Sequence, residues 1–207
     1  MNTPRQTFAL RPHDEALGWE SNERRYFKYA QSQLVELEAK CKEVWAAWPV
    51  APDQPVEDVH IRHPELAKLL DERNRLSDSV RIYSAMAVEG FLNWYGALRL
   101  GEAAFNEHFE RLSLVPKLRA VLLVCDSVSI PRNDPLVEAL NAVAQSRNAL
   151  VHPKAREVSG PATPMRPFTK VPETARDSVA RMRTFFAELV VAVPQTALLV
   201  PGSEDGA

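Results

Sequence analysis

Glycine is scarce: seven residues in 207, against sixteen prolines. Tight hairpins need residues that accept positive φ, so this balance argues against an all-β sandwich or small barrel and favours helices separated by proline-bearing joints. Cysteine is rarer still. Cys41 and Cys125 are too few for a disulfide framework or a zinc site, and both sit among apolar residues as reduced, partly buried thiols would. Charge of one sign is missing as well, since 25 basic and 27 acidic residues leave a formal net charge of −2. That excludes a strongly basic nucleic-acid coat while leaving room for a local basic patch. Long apolar runs are absent too. The most apolar tract, Phe185 to Val200, is broken by Glu188, Pro194 and Gln195, which falls short of a membrane span. Met1 to Leu10 carries one basic residue and no apolar segment, so it does not read as a secretion signal. These absences predict a soluble cytoplasmic protein without a membrane partner.

What is present is helical periodicity. With 45% hydrophobic residues the chain can bury a substantial core in one domain. Residues 1–20 read as an irregular arm. Tyr26, Phe27, Ala30, Leu34, Leu37, Cys41, Val44, Trp45 and Trp48 recur at three-four spacing, predicting an amphipathic helix over 21–48 that Pro49 ends. Residues 49–63 read as a linker. Pro64 suits the first position of a long second helix, and Gly101 suits its stop. The half of that helix from Val80 to Leu100 is apolar nearly all round and should be the most buried. Further helices are expected over 102–111, 114–127 (Ser113 as cap), 135–151 and 173–193, with 194–207 as a tail. The expected architecture is all-α: one helical domain over 21–193.

The 135–151 helix holds the most informative position. With Leu136 at zero on a 100° wheel, Leu140, Val143, Leu150 and Val151 fall within about 60° of it, and Arg147 lies near 20°. A guanidinium inside an apolar stripe must be paired, sit at a subunit interface, or face a polar cavity. His152 follows five residues later, with Pro153 behind it. An imidazole at a helix C-terminus either bonds the last carbonyls or serves as a proton-moving group. Arg147, Asn148 and His152 together suit a phosphodiester: a cation for the phosphate, an orienting amide and a titratable ring.

Supporting positions follow from the same logic. Glu89 and Asn93 are four apart on the central helix, and a carboxylate there needs a partner. Arg147 is one choice, Arg81 or Arg119 another, and solvent a third. Lys154 and Arg156 open a basic loop beside His152 that could hold an RNA backbone or simply connect two helices. His60 and His63 imitate a metal pair near Asp58 but lack a third ordered ligand, so no metal or other cofactor is expected. His13 and His108 have no constellation around them in the sequence.

The string Ser146-Arg147-Asn148-Ala149-Leu150-Val151-His152-Pro153 resembles the R-N-x-x-x-H motif of the HEPN superfamily. Ala85 to Asn93, Leu100-Gly101 and Phe109 to Leu118 are similar to the central helices of bacterial HEPN-like proteins of unknown role. The resemblance covers roughly residues 64–193. It implies a HEPN-like bundle of four to five core helices, here with an extra N-terminal helix, that forms a homodimer. It also implies metal-independent RNA cleavage where two motif-bearing helices meet, with Arg147 and His152 as the catalytic pair and Asn148 as the motif's polar second residue. Some members of that superfamily are toxins held by a minimal nucleotidyltransferase partner, and others are non-catalytic modules that bind a protein or nucleotide. Either role, toxin or defence ribonuclease on one side and binding module on the other, fits the motif.

Overall fold

In a computed structural model of the chain, the structure describes residues 9–18, 21–51, 54, 56–151 and 170–202. Among these the chain is all-α. Its helices are α1 (Glu23–Ala46), α2 (Val59–Arg62), α3 (Pro64–Leu100), α4 (Glu102–His108), α5 (Leu114–Asp126), α6 (Pro135–Val151) and α7 (Lys170–Ala192). No helix is long and apolar enough to cross a membrane.

The 37-residue α3 is the axis of the molecule. Pro64 starts it with a nitrogen that has no hydrogen to leave unpaired. Gly101 ends it at φ +85°, a conformation that side-chain-bearing residues rarely adopt. Val80, Val88, Phe91, Leu92, Tyr95 and Leu98 are completely buried along one face about 120° wide, and Gly96, Ala97 and Leu100 carry burial to other sides near the helix end, so α3 needs several neighbours. α1 and α7 supply most of them, and α4, α5 and α6 cover the rest. Phe91 meets Phe186 of α7 edge-on, with centroids 5.5 Å apart, and Phe186 meets Phe27 of α1 in the same way at 5.8 Å. A methyl group added at Gly96 would run into the Phe105 ring of α4, so this glycine permits the close approach of α4 to α3.

Local chemistry accounts for several boundaries. Asp134 caps α6 by accepting from the Leu136 amide at 2.9 Å, satisfying one of the free donors of the first turn. Ser113 occupies the capping position of α5 without making the side-chain bond. α7 begins at Lys170, three residues before the expected start, because Pro172 falls in its first turn, where proline costs no hydrogen bond. The expected linker 49–63 contains α2 and builds a second, smaller core: Val44, Trp48, Val56 and Val59 pack on Leu66 and Leu70. The tail expected from 194 onward is corrected over its described part. Thr196, Leu199 and Val200 are buried, and Arg24 of α1 donates to the Leu198 carbonyl at 3.3 Å.

The irregular arm expected over 1–20 is likewise corrected over its described residues. Residues 13–18 form a 3-10 turn docked on α3. His13, without a constellation in the sequence, joins a buried network there. Arg99 of α3 donates to Asp126 at 2.7 Å, to the Cys125 carbonyl at 2.8 Å, to Tyr95 at 3.0 Å, and to the ring nitrogen Nε2 of His13. Tyr95 donates to Asp126 at 2.8 Å. Two bonds between Arg11 and Arg99 complete the dock: the Arg11 amide donates to the Arg99 carbonyl at 2.9 Å, and the Arg99 side-chain Nε donates to the Arg11 carbonyl at 2.8 Å. Burial beside Asp126 pushes the Cys125 thiol up to about 12, so this cysteine is no nucleophile.

Two predictions test the dock. Arg99→Met leaves the Asp126 carboxylate buried without its cation and should cost about 3 kcal/mol in denaturant unfolding. Burial, followed by the nearby Arg99, holds the His13 pKa below the ordinary histidine value, against Asp126 and Asp14, which raise it. The dock's contribution is therefore complete above about pH 6.5, the unfolded value, and is lost as pH falls below it. Amide exchange at Arg11 should accelerate between about pH 6.5 and 5 relative to the intrinsic rate. Unchanged protection across that window would contradict the assignment.

Candidate functional site

Arg147 leaves the apolar stripe of α6 where the core stops. Leu136, Val137, Ala139, Leu140 and Val143 are buried. One turn after Val143 the same face meets a cleft instead of a neighbouring helix, and Ala144, Arg147 and Asn148 line it. Arg147 thus lines a cleft at the edge of the core instead of entering it. Arg147 is half-buried and donates to the Asn148 side-chain oxygen at 3.1 Å.

The cleft has a volume of about 350 Å³. α3 contributes Ala85 and Glu89. α6 contributes Asn141 beside the three residues already named. The segment that enters α5 contributes Leu112 to Pro116 as a mostly apolar wall. A second groove of about 330 Å³ continues from Val115 and Pro116 along α5 past Arg119 and Leu123 to Ile130.

The last turns of α6 are held from behind. Arg81 of α3 donates to the Ser146 carbonyl at 2.6 Å and to its hydroxyl at 3.0 Å. Ser146 also bonds Ser178 of α7 at 2.7 Å, and Ser178 donates to the Thr174 carbonyl. Three helices thus fix the residue next to Arg147, and the rigid side of the turn faces inward while Arg147 faces the cleft.

Glu89 and Arg147 share the cleft, yet they form no ion pair, and Arg81 is committed to Ser146. Among the described residues the Glu89 carboxylate accepts no hydrogen bond, so its fate is the open cleft. Asn93 serves a different group. Its side-chain oxygen accepts from the Lys117 ammonium at 2.6 Å. Lys117 is 2% exposed and was not singled out from sequence, although it precedes buried Val121 by four residues and so lies on the inward side of α5. Burial lowers its pKa, while the Glu89 and Glu110 carboxylates oppose that shift. The ammonium also lies 5.9 Å from the centroid of the Phe105 ring, within cation–π range.

His152, Lys154 and Arg156 lie outside the described residues. His60 lines an open groove of about 420 Å³ with Lys68, Asp71, Glu72 and Arg75, and no group of three potential metal ligands occurs among the described residues. No family model matches the chain, and neither the curated proteins nor the solved structures contain a match to it.

The arrangement can hold an anion at Arg147 and Asn148, place an apolar surface on the Leu112–Pro116 wall, and offer an acceptor at Glu89. The buried ammonium is tied to Asn93 and lies within the field of Glu89. Lys117→Met keeps the chain length but leaves the Asn93 side-chain oxygen without its donor, which costs about 1 kcal/mol or more. Denaturant unfolding should show that loss for Lys117→Met and a larger one, about 2 kcal/mol or more, for Lys117→Ala, which also leaves a void.

Proposed function

We propose that the protein is a metal-independent endoribonuclease that acts as a homodimer. The observation that carries this reading is the emergence of Arg147 and Asn148 from the apolar face of α6 into a cleft, five and four residues before His152 in the sequence. A guanidinium in a half-enclosed site neutralises a phosphodiester and the charge that builds up on it during transfer. RNA brings its own nucleophile, since the 2′-hydroxyl lies beside its phosphorus, so the protein must supply only a base, an acid and a cation. One chain carries a single His152 and a single Arg147. Two chains facing each other supply one imidazole for each proton transfer.

A second copy also has a surface to use. Leu112 on the cleft rim, Leu123 on the adjoining groove and Val151 at the end of α6 are 36%, 55% and 47% exposed. Apolar side chains gathered near a polar site favour an interface over bare solvent. The unpartnered Glu89 carboxylate favours a second reading, in which the cleft binds a nucleotide without cutting it.

Purified protein mixed with single-stranded RNA in EDTA separates the two. The enzyme reading expects cleavage, products ending in a 2′,3′-cyclic phosphate, and a rate that falls at least about 100-fold for His152→Ala and for Arg147→Ala. Light scattering should show a dimer. Intact RNA after exposure to a folded wild-type dimer would overturn the enzyme reading, and saturable binding without cleavage would support the second.

A further inference from the structure

The cleft holds more than a phosphate site requires, and its extra group is Glu89. An ionised carboxylate has acceptors only, two oxygens side by side. Glu89 spends neither on a described residue: Arg147 is turned to Asn148, Arg81 to Ser146, and Lys117 to Asn93. It stands on the α3 wall, while the phosphate-binding groups come from α6 and the Leu112–Pro116 wall from the segment entering α5. A volume of about 350 Å³ is at the small end of ligand sites and suits a single nucleotide unit.

A free carboxylate beside a phosphate site would ordinarily repel the ligand. Here Lys117, buried within the electrostatic reach of Glu89, offsets that charge from behind, and Arg147 offsets it from across the cleft. The carboxylate can therefore act locally, as an acceptor pair, without making the cleft acidic.

We propose that Glu89 is a specificity-determining residue that reads the base of the bound nucleotide and selects guanine. The inference rests on the endoribonuclease reading of the same cleft. Guanine alone among the four RNA bases offers two adjacent N–H donors, N1–H and the N2 amino group, on one edge. Adenine and cytosine place an acceptor beside their single amino group, and uracil flanks its one N–H with two carbonyls. A bidentate carboxylate matches the first edge and meets lone pairs on the others. The Leu112–Pro116 wall gives the base an apolar face to lie against. A bidentate pair of this kind discriminates by about 10- to 100-fold.

The test uses the full-length protein and a single-stranded RNA library in EDTA, with cleavage positions mapped by sequencing. Binding of guanosine- and adenosine-containing dinucleotides to His152→Ala is measured in parallel. Glu89 is half-exposed, so Glu89→Gln should fold, which circular dichroism checks. Wild type is expected to cut next to guanine at least about ten times more often than next to the other bases. Glu89→Gln, whose amide carries one donor and one acceptor, should flatten that ratio and move it toward adenine. Cleavage without guanine preference, or a preference that survives Glu89→Gln, overturns the inference and leaves the ribonuclease standing. Guanine-selective binding without cleavage supports the inference and overturns the ribonuclease reading. RNA neither bound nor cut overturns both.

Discussion

Phe91, Leu92, Tyr95 and Leu98 form one broad face of α3, about 120° wide, and none of them reaches water. An apolar face of that width along a 37-residue helix is unstable in solvent, so its burial dictates where the other helices go. α1 and α7 flank it over most of its length, joined to each other at the surface by Arg176 and Glu38. α4 closes over Gly96, and α5 and α6 cover what remains. The cleft lies where this covering ends. α6 runs past its last buried residues, and the entry to α5 crosses in front of it without filling the space. The site is thus an edge of the core, open because the packing of α3 is already satisfied elsewhere.

Two polar clusters stand inside this apolar frame, and each is held to a single geometry. Arg99, Tyr95 and Asp126 satisfy one another and the backbone around them, and the arm residues Arg11 and His13 are tied in by the same guanidinium. Lys117 and Asn93 form a smaller pair beneath the cleft. Charges of this kind return little net stability for their desolvation, but each fixes which partner must be present. The first determines how the arm docks. The second places a positive charge behind Glu89.

Much of the helical framework was legible because it depends on neighbours in sequence. Pro64 and Gly101 bracket α3 at its observed limits, and α6 spans 135–151 as its periodicity predicts. The anomaly of Arg147 was legible for the same reason, since one wheel shows a cation among apolar residues. The cleft that Arg147 lines was not legible, because it is built from three separate segments. His13 could not be read at all. Its partner Arg99 lies 86 positions away, and nothing local marks the arm as docked. Lys117 carried a signal that went unused: it shares the inward side of α5 with Val121, a cation on an apolar stripe as Arg147 is on α6. The described part of the C-terminal segment misled because its prolines read as a tail, while Thr196, Leu199 and Val200 turn back into the core.

The continuity of α3 has a mechanical consequence. Glu89 and Arg99 ride on one uninterrupted rod, ten residues and so about 15 Å apart along its axis. No proline lies within that stretch, so the rod has no joint between the two stations. A strut of this sort keeps the arm's anchor and the cleft wall at one fixed spacing, so neither can shift along the axis relative to the other without breaking the helix.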